Sequence, residues 1–299
     1  MATLRKPARR GLRRRFASSA VPTQWQESSY AEIAWEKSRS AATRWAALGV
    51  VLGLIVGLVV FAPATWLAGA VASATGQRVL LADARGTVWS GSAVAVLTGG
   101  PGSRDASSLP GRLEWTLRLK GLGMELRARH ACCLNDTVSV HLKPGLGRMS
   151  VTLAPKPDWI GQWPGAFLGG LGTPWNTLQL GGSLRLMSSG LKLDLVQGRW
   201  IVDGMAEIDM LQASSRVSTL EPLGSYRFSL TGSAGGPSQL RLSTLEGVLQ
   251  LNGEGTAGPN GVRFRGEARA ATEADESALN NLLNIIGRRN GAVSVISIG

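Results

Sequence analysis

Few residues in this chain have types and spacings that could do chemistry. One serine stands between a tryptophan and a glycine in Ala84-Arg85-Gly86-Thr87-Val88-Trp89-Ser90-Gly91-Ser92-Ala93. A serine beside glycine is a common setting for a nucleophile, but it reacts only when a neighbouring base takes its proton. His130 and His141 are the two histidines of the sequence. His130 lies among arginines, and His141 falls on the polar phase of Thr137–Leu142. No Gly-x-Ser-x-Gly elbow leads from a strand into a helix here. Val88 and Trp89 favour a strand before Ser90, and Gly91 a turn or bulge. Ser90 therefore reads as architecture.

Cysteine chemistry is similarly limited. Cys132 and Cys133 are adjacent and are the only two. That spacing suits neither a disulfide framework nor a zinc site. It leaves open a vicinal disulfide, two thiols, or pairing between molecules. A metal site would need His130 and further ligands that the sequence does not gather. The carboxylates are scattered, with no acid and base pair among them. The expectation is no catalytic residues, no metal ligands and no cofactor.

The elements that position these residues begin with an apolar segment. No charged residue occurs between Arg44 and Arg78. About twenty apolar residues precede Pro63, enough to cross a hydrocarbon layer of about 30 Å. Trp45 and Trp66 flank the run, where aromatic rings favour the interface. The expected organisation is a basic tail over residues 1–44, a transmembrane helix over 45–69, and a β-rich domain over 70–299. A cleaved signal peptide is the rival reading, with Ala70-Val71-Ala72 as a small-residue site. A leader of 44 residues and a long apolar run favour a retained anchor. Lys37, Arg39 and Arg44 lie before the span and only Arg78 soon after it, so the N-terminus should stay cytoplasmic.

The formal net charge is +12, of which residues 1–44 carry +7. A basic balance of this size suggests nucleic acid or an anionic membrane surface as partner. The anchor, and the lack of a nucleic-acid-binding fold behind the tail, exclude nucleic acid. The tail reads as a largely disordered topological anchor or as a binder of lipid headgroups. The stretch 28–45 reads as helical and continuous with the span, with Ser29 as a cap and Glu32 three residues on.

Beyond Leu80 the pattern has period two. Leu113, Trp115, Leu117 and Leu119 alternate with polar residues, as do Val138/Val140/Leu142, Met149/Val151/Leu153, Leu191/Leu193/Leu195, Tyr226/Phe228/Leu230, Leu249/Leu251 and Val262/Phe264. Such alternation marks half-buried strands. Turn signals at short intervals then imply an all-β fold. The fold class expected is a curved antiparallel meander, groove- or half-barrel-like, with a short C-terminal helix. Its dry face is either a packed core or a groove. Two stretches break the alternation. Residues 155–177 read as a crossover stapled by Trp159, Trp163 and Trp175, or as a partner platform. Residues 272–287 read as a helix with Thr272 as N-cap, Leu279, Leu282, Leu283 and Ile286 as its apolar stripe, and Gly287 at C′. A strand over 292–298 follows.

Taken together, the basic tail, the span and the motif 84–93 resemble the type II secretion system protein N family. Leu109-Pro110-Gly111-Arg112-Leu113-Glu114-Trp115 resembles the family's next strand, and Gly261–Ala268, Leu279–Arg289 and Ala292–Gly299 its ending. The likeness covers roughly residues 45–299, and Cys132-Cys133 has no counterpart in it. The resemblance implies a non-enzymatic, single-pass accessory component of the inner membrane with a periplasmic β-rich domain. Its partners would be inner-membrane platform proteins or the secretin. The family also resembles periplasmic groove proteins of the AsmA type, which implies lipid binding or transfer as the alternative.

Overall fold

A computed structural model describes residues 24–232, 236–258 and 261–299. The arginine-rich start of the tail lies outside the described residues. Helix α1 (Gln24–Val60) includes the segment expected to lead into the span, and Ser29 lies inside it rather than at its start. Its portion Ala42–Val60 is 19 residues, long and apolar enough to cross a membrane. At 1.5 Å per residue it extends about 28 Å. The helix stops before Pro63, whose ring and missing N–H end helical bonding. Helix α2 (Ala64–Ala74) starts immediately afterwards. The apolar stretch expected as one helix over 45–69 is therefore divided. The chain forms two bodies that meet between Val59 and Val60.

In the second body, period-two alternation produces one open, curved antiparallel sheet, as expected. In chain order come β1 (Val79–Gly86), β2 (Ser90–Thr98), β3 (Ala106–Ser108), β4 (Leu113–Lys120), β5 (Gly123–His130), β6 (Val138–Gly145), β7 (Arg148–Leu153) and β8 (Gly161–Pro164). A 3-10 turn (Gly165–Leu171) and α3 (Trp175–Leu178) follow. Next are β9 (Leu180–Val196), β10 (Arg199–Ser215), β11 (Gly224–Gly232), β12 (Ser238–Gly247), β13 (Leu249–Gly258), β14 (Gly261–Ala270), α4 (Glu273–Ile286), β15 (Arg288–Asn290) and β16 (Val293–Ile298). Neighbours in sequence are mostly neighbours in the sheet. Strands β3 and β4 share one edge of β2, and β7 and β8 share one edge of β9. The segment 155–177 is a connection of this kind, with Trp163 opposite Leu184.

Among the described residues, two cores hold the sheet. Helix α2 seals the first, where Ala64, Ala93 and Trp115 are buried with Leu67 and Leu81 against them. The buried indole beside the motif 84–93 is thus Trp115, while Trp89 is half-buried in the β1–β2 turn. Gly91 makes room for it, since a Cβ there would lie 2.6 Å from Trp115 Cζ2.

Helix α4 seals the second core, burying Leu279, Leu282 and Leu283 against Leu223, Tyr226, Leu249 and Ala268. Thr272 is its N-cap residue, as expected, but the side chain does not cap the backbone. The Thr272 hydroxyl donates to the Asp275 carboxylate at 2.6 Å and makes no bond to the helix backbone. Its end also differs, because Gly287 is extended (φ −166°) and passes directly into β15. Glycine suits this site for want of space, as a Cβ would lie 2.5 Å from the Val295 carbonyl. Strand β16 then inserts between β14 and β15.

Candidate functional site

Ser90 and the two histidines are dispersed, whereas His130, Cys132 and Cys133 come together. Ser90 opens β2 on its polar face, opposite Thr116. Its N–H donates to Thr87 Oγ1 at 3.1 Å, and its carbonyl accepts from the Thr87 N–H at 2.8 Å. These bonds close the β1–β2 turn. His141 lies in β6, three strands away or about 14 Å at sheet spacing. His130 pairs with Leu113, which places it on the opposite face. Neither imidazole reaches the Ser90 hydroxyl.

His130 is 5 % exposed, and neither ring nitrogen has a hydrogen-bond partner. Burial lowers its pKa and favours the neutral ring. Cys132 and Cys133 form a vicinal disulfide in the turn after it. The ligand atoms of these three residues lie within 4.8 Å of one another. The sulfurs are bonded to each other, so they offer no thiolate to a metal.

The apolar face of the sheet is an extended organised surface. Residues paired across an antiparallel ladder point to the same side. One such row runs Leu117, Leu126, Val140, Leu153, Leu191. Another runs Leu186, Ile208, Phe228, Leu242, Gly253, Gly266, Ile296. A bulge joins the halves. Met205 pairs with Gly190 and Ala206 with Ser188, leaving Ser189 unopposed. The extra residue keeps Leu184 and Leu186 on the same side as Leu191, Leu193 and Leu195. Between the two cores this face is only half-buried, with Met149, Trp200 and Ile208 exposed.

The opposite face holds charge pairs that the sequence did not single out. Arg227 donates to both oxygens of the buried Asp209 at 2.8 Å each. The Asp209 carboxylate holds the Arg227 pKa above its usual value. Glu125 lies opposite His141. Desolvation alone would raise its carboxyl, but Lys120, Arg127 and His141 outweigh it and hold the pKa below the usual carboxylate value. Arg112 fastens the β1–β2 hairpin, donating to Asp83 Oδ2 at 2.7 Å and to Ser92 Oγ at 3.0 Å. The signal available for these was the charge at alternate positions, which marks the wet face but not the pairing.

The same hairpin receives the chain leaving the apolar helix. Pro63 bridges Thr87, and the Val88 N–H donates to the Ala62 carbonyl at 2.9 Å. The motif 84–93 thus joins Ala62 and Pro63 to the first core. It has the geometry of a fastening.

Comparison with known proteins gives one match. The family model for type II secretion system protein N covers residues 77–296. No curated protein and no solved structure matches the chain.

Proposed function

The chain belongs to the type II secretion system protein N family, and we propose that it serves that machine as a non-enzymatic accessory protein. In this reading Ala42–Val60 anchors it in the inner membrane, with the N-terminus cytoplasmic and the β-rich domain periplasmic. Its work is done through protein–protein contacts with platform proteins or the secretin. The observation that carries the reading is the extent of the family match, which takes in nearly all of the sheet. The 19-residue apolar helix and the basic flank before it support the anchor and its direction. Deletion of the gene is expected to abolish or sharply reduce secretion of the machine's substrates, with the protein co-purifying with its components. Unchanged secretion and no association would sink the proposal.

A second reading rests on the half-buried apolar face. Rows of leucine and valine continue across the sheet between the two cores. Such a face suits acyl chains, as in a groove that binds or transfers lipid. Native mass spectrometry of the detergent-extracted chain would show bound lipid adducts. Their absence across several lipid compositions would remove this reading and leave the first.

A further inference from the structure

The two ends of the sheet differ in a way that the family match does not address. Three hairpin turns meet at one end. Lys120 pairs with Gly123, Gly145 with Arg148, and Val196 with Arg199. The turns are neighbours, because Met124 pairs with Leu142 and Arg148 with Val196. Their tips carry apolar side chains facing solvent. Leu122 and Leu146 are fully exposed, Leu119 is 77 % exposed, and Trp200 is half exposed. Turns are ordinarily polar and surface-bound. Beside these side chains stand Lys143, Arg148 and Arg199, with Lys120 paired to Glu125 at 3.3 Å, and residues 118–123, 142–149 and 197–200 contain no acid.

The second body begins near the same end of the sheet. Pro63 and Ala62 run antiparallel to Thr87 and Val88. The chain N-terminal to Pro63 therefore runs in the direction of β1, which is also the direction of β4. Strand β4 passes this point, since the Leu117 N–H donates to the Trp89 carbonyl at 2.7 Å. Three further residues of β4, about 10 Å at strand rise, bring it to the tip at Lys120. Three residues also separate Pro63 from Val60, where α1 ends. The tips thus point to the side from which the chain enters this body.

We propose that this end of the sheet rests on the surface of the membrane that holds the chain's own span. Leu119, Leu122, Leu146 and Trp200 enter the interfacial layer, and the flanking Lys and Arg side chains face anionic phospholipid headgroups. Apolar side chains at the boundary with cations beside them are the composition of an interfacial contact. The proposal rests on the anchoring reading and gives it geometry, since the domain stands on the bilayer instead of swinging from a single tether. It is distinct from acyl chains lying along the sheet's apolar face.

The test uses the full chain in nanodiscs of phosphatidylethanolamine and phosphatidylglycerol. Single variants Leu122→Cys, Leu146→Cys, Ile55→Cys and Arg104→Cys each carry a nitroxide. Cys132 and Cys133 are bonded to each other and do not compete for the label. Depth is read from relative accessibility to oxygen and to a water-soluble nickel chelate. The expected result is Ile55 deep, Leu122 and Leu146 shallow but within lipid, and Arg104, in a turn at the far end of the sheet, in water. Several-fold protection from the chelate at 122 and 146, weakened in phosphatidylcholine discs, supports the proposal. Labels at 122 and 146 in water with Ile55 deep overturn it and leave the anchor standing. A label at Ile55 in water overturns both.

Discussion

The two ends of the sheet use the same alternating strands to different effect. At one end α4 covers the strands, and Leu279 and Leu283 are wholly buried. Polar groups trapped there find partners. Ser294 Oγ donates to the Leu283 carbonyl at 2.7 Å, Ser215 Oγ to the Leu178 carbonyl at 2.6 Å, and the Tyr226 hydroxyl to the Leu249 carbonyl at 3.0 Å. Burial raises the Tyr226 pKa, so its hydroxyl stays protonated as a donor. At the other end leucines of similar size stand in solvent on turns, with cations beside them. Wholly buried leucines are found where the helix lies. The leucines on the turn tips of the open end bury little surface.

Substitutions at the two ends should separate these roles. The largest effect is expected from Leu283→Ala, which empties a packed site in the second core and should cost about 2–5 kcal/mol. Urea unfolding of the detergent-solubilised chain would measure it, and a loss under 1 kcal/mol would mean that α4 is not the closing element. Gly91→Ala forces a methyl against Trp115 and the Arg85 carbonyl, and should cost about 1–3 kcal/mol through overpacking. It tests whether the fastening near the open end is rigid. A pH effect comes next. Burial depresses the folded-state pKa of His130, so below the unfolded value, near 6.5, the unfolded chain binds more protons. Stability should be full above that value and fall by at most about 1.4 kcal/mol per pH unit as pH drops toward the folded pKa. A His130→Phe chain should lack this slope, whereas an identical slope would assign it elsewhere. Ser294→Ala, also under α4, should cost about 1 kcal/mol through one lost hydrogen bond. The smallest change is expected from Leu122→Ser at the open end, within about 0.5 kcal/mol. A large loss there would show that the exposed leucine is structural and would undo the contrast.

Much of the fold was legible because period-two alternation depends on nothing but neighbours in sequence. Leu113 to Leu119 and Leu191 to Leu195 could be read directly, as could the buried stripe of α4. The long strands β9 and β10 were legible only in part. The unopposed Ser189 shifts the phase, so Leu184 and Leu186 fall on even numbers and Leu191, Leu193 and Leu195 on odd ones. A reader following parity stops at the bulge, while the sheet continues through it. Helix termini were less legible still, because Gly287 follows a close approach to β16, a contact that no local pattern encodes. The division at Pro63 was visible as a proline, but the packing of α2 on Trp115 and Leu81 was not. The candidate surface was least legible of all. Which turns share an end depends on strand pairing across the whole sheet. Leu122 and Leu146 in isolation read only as turn residues.

The boundaries of the sheet carry a consequence for assembly. An open sheet exposes unpaired backbone groups along its first and last strands, and these can template growth from chain to chain. Here one boundary strand, β1, has a register break between Ala82 and Arg85, with Asp83 at φ 47°. The other, β15, is three residues long and begins with two arginines. A broken ladder and a short, charged one are both poor templates. Runaway polymerisation is thus discouraged even though most of the chain is strand, and a partner gains more by binding a face or the turns than by adding a strand.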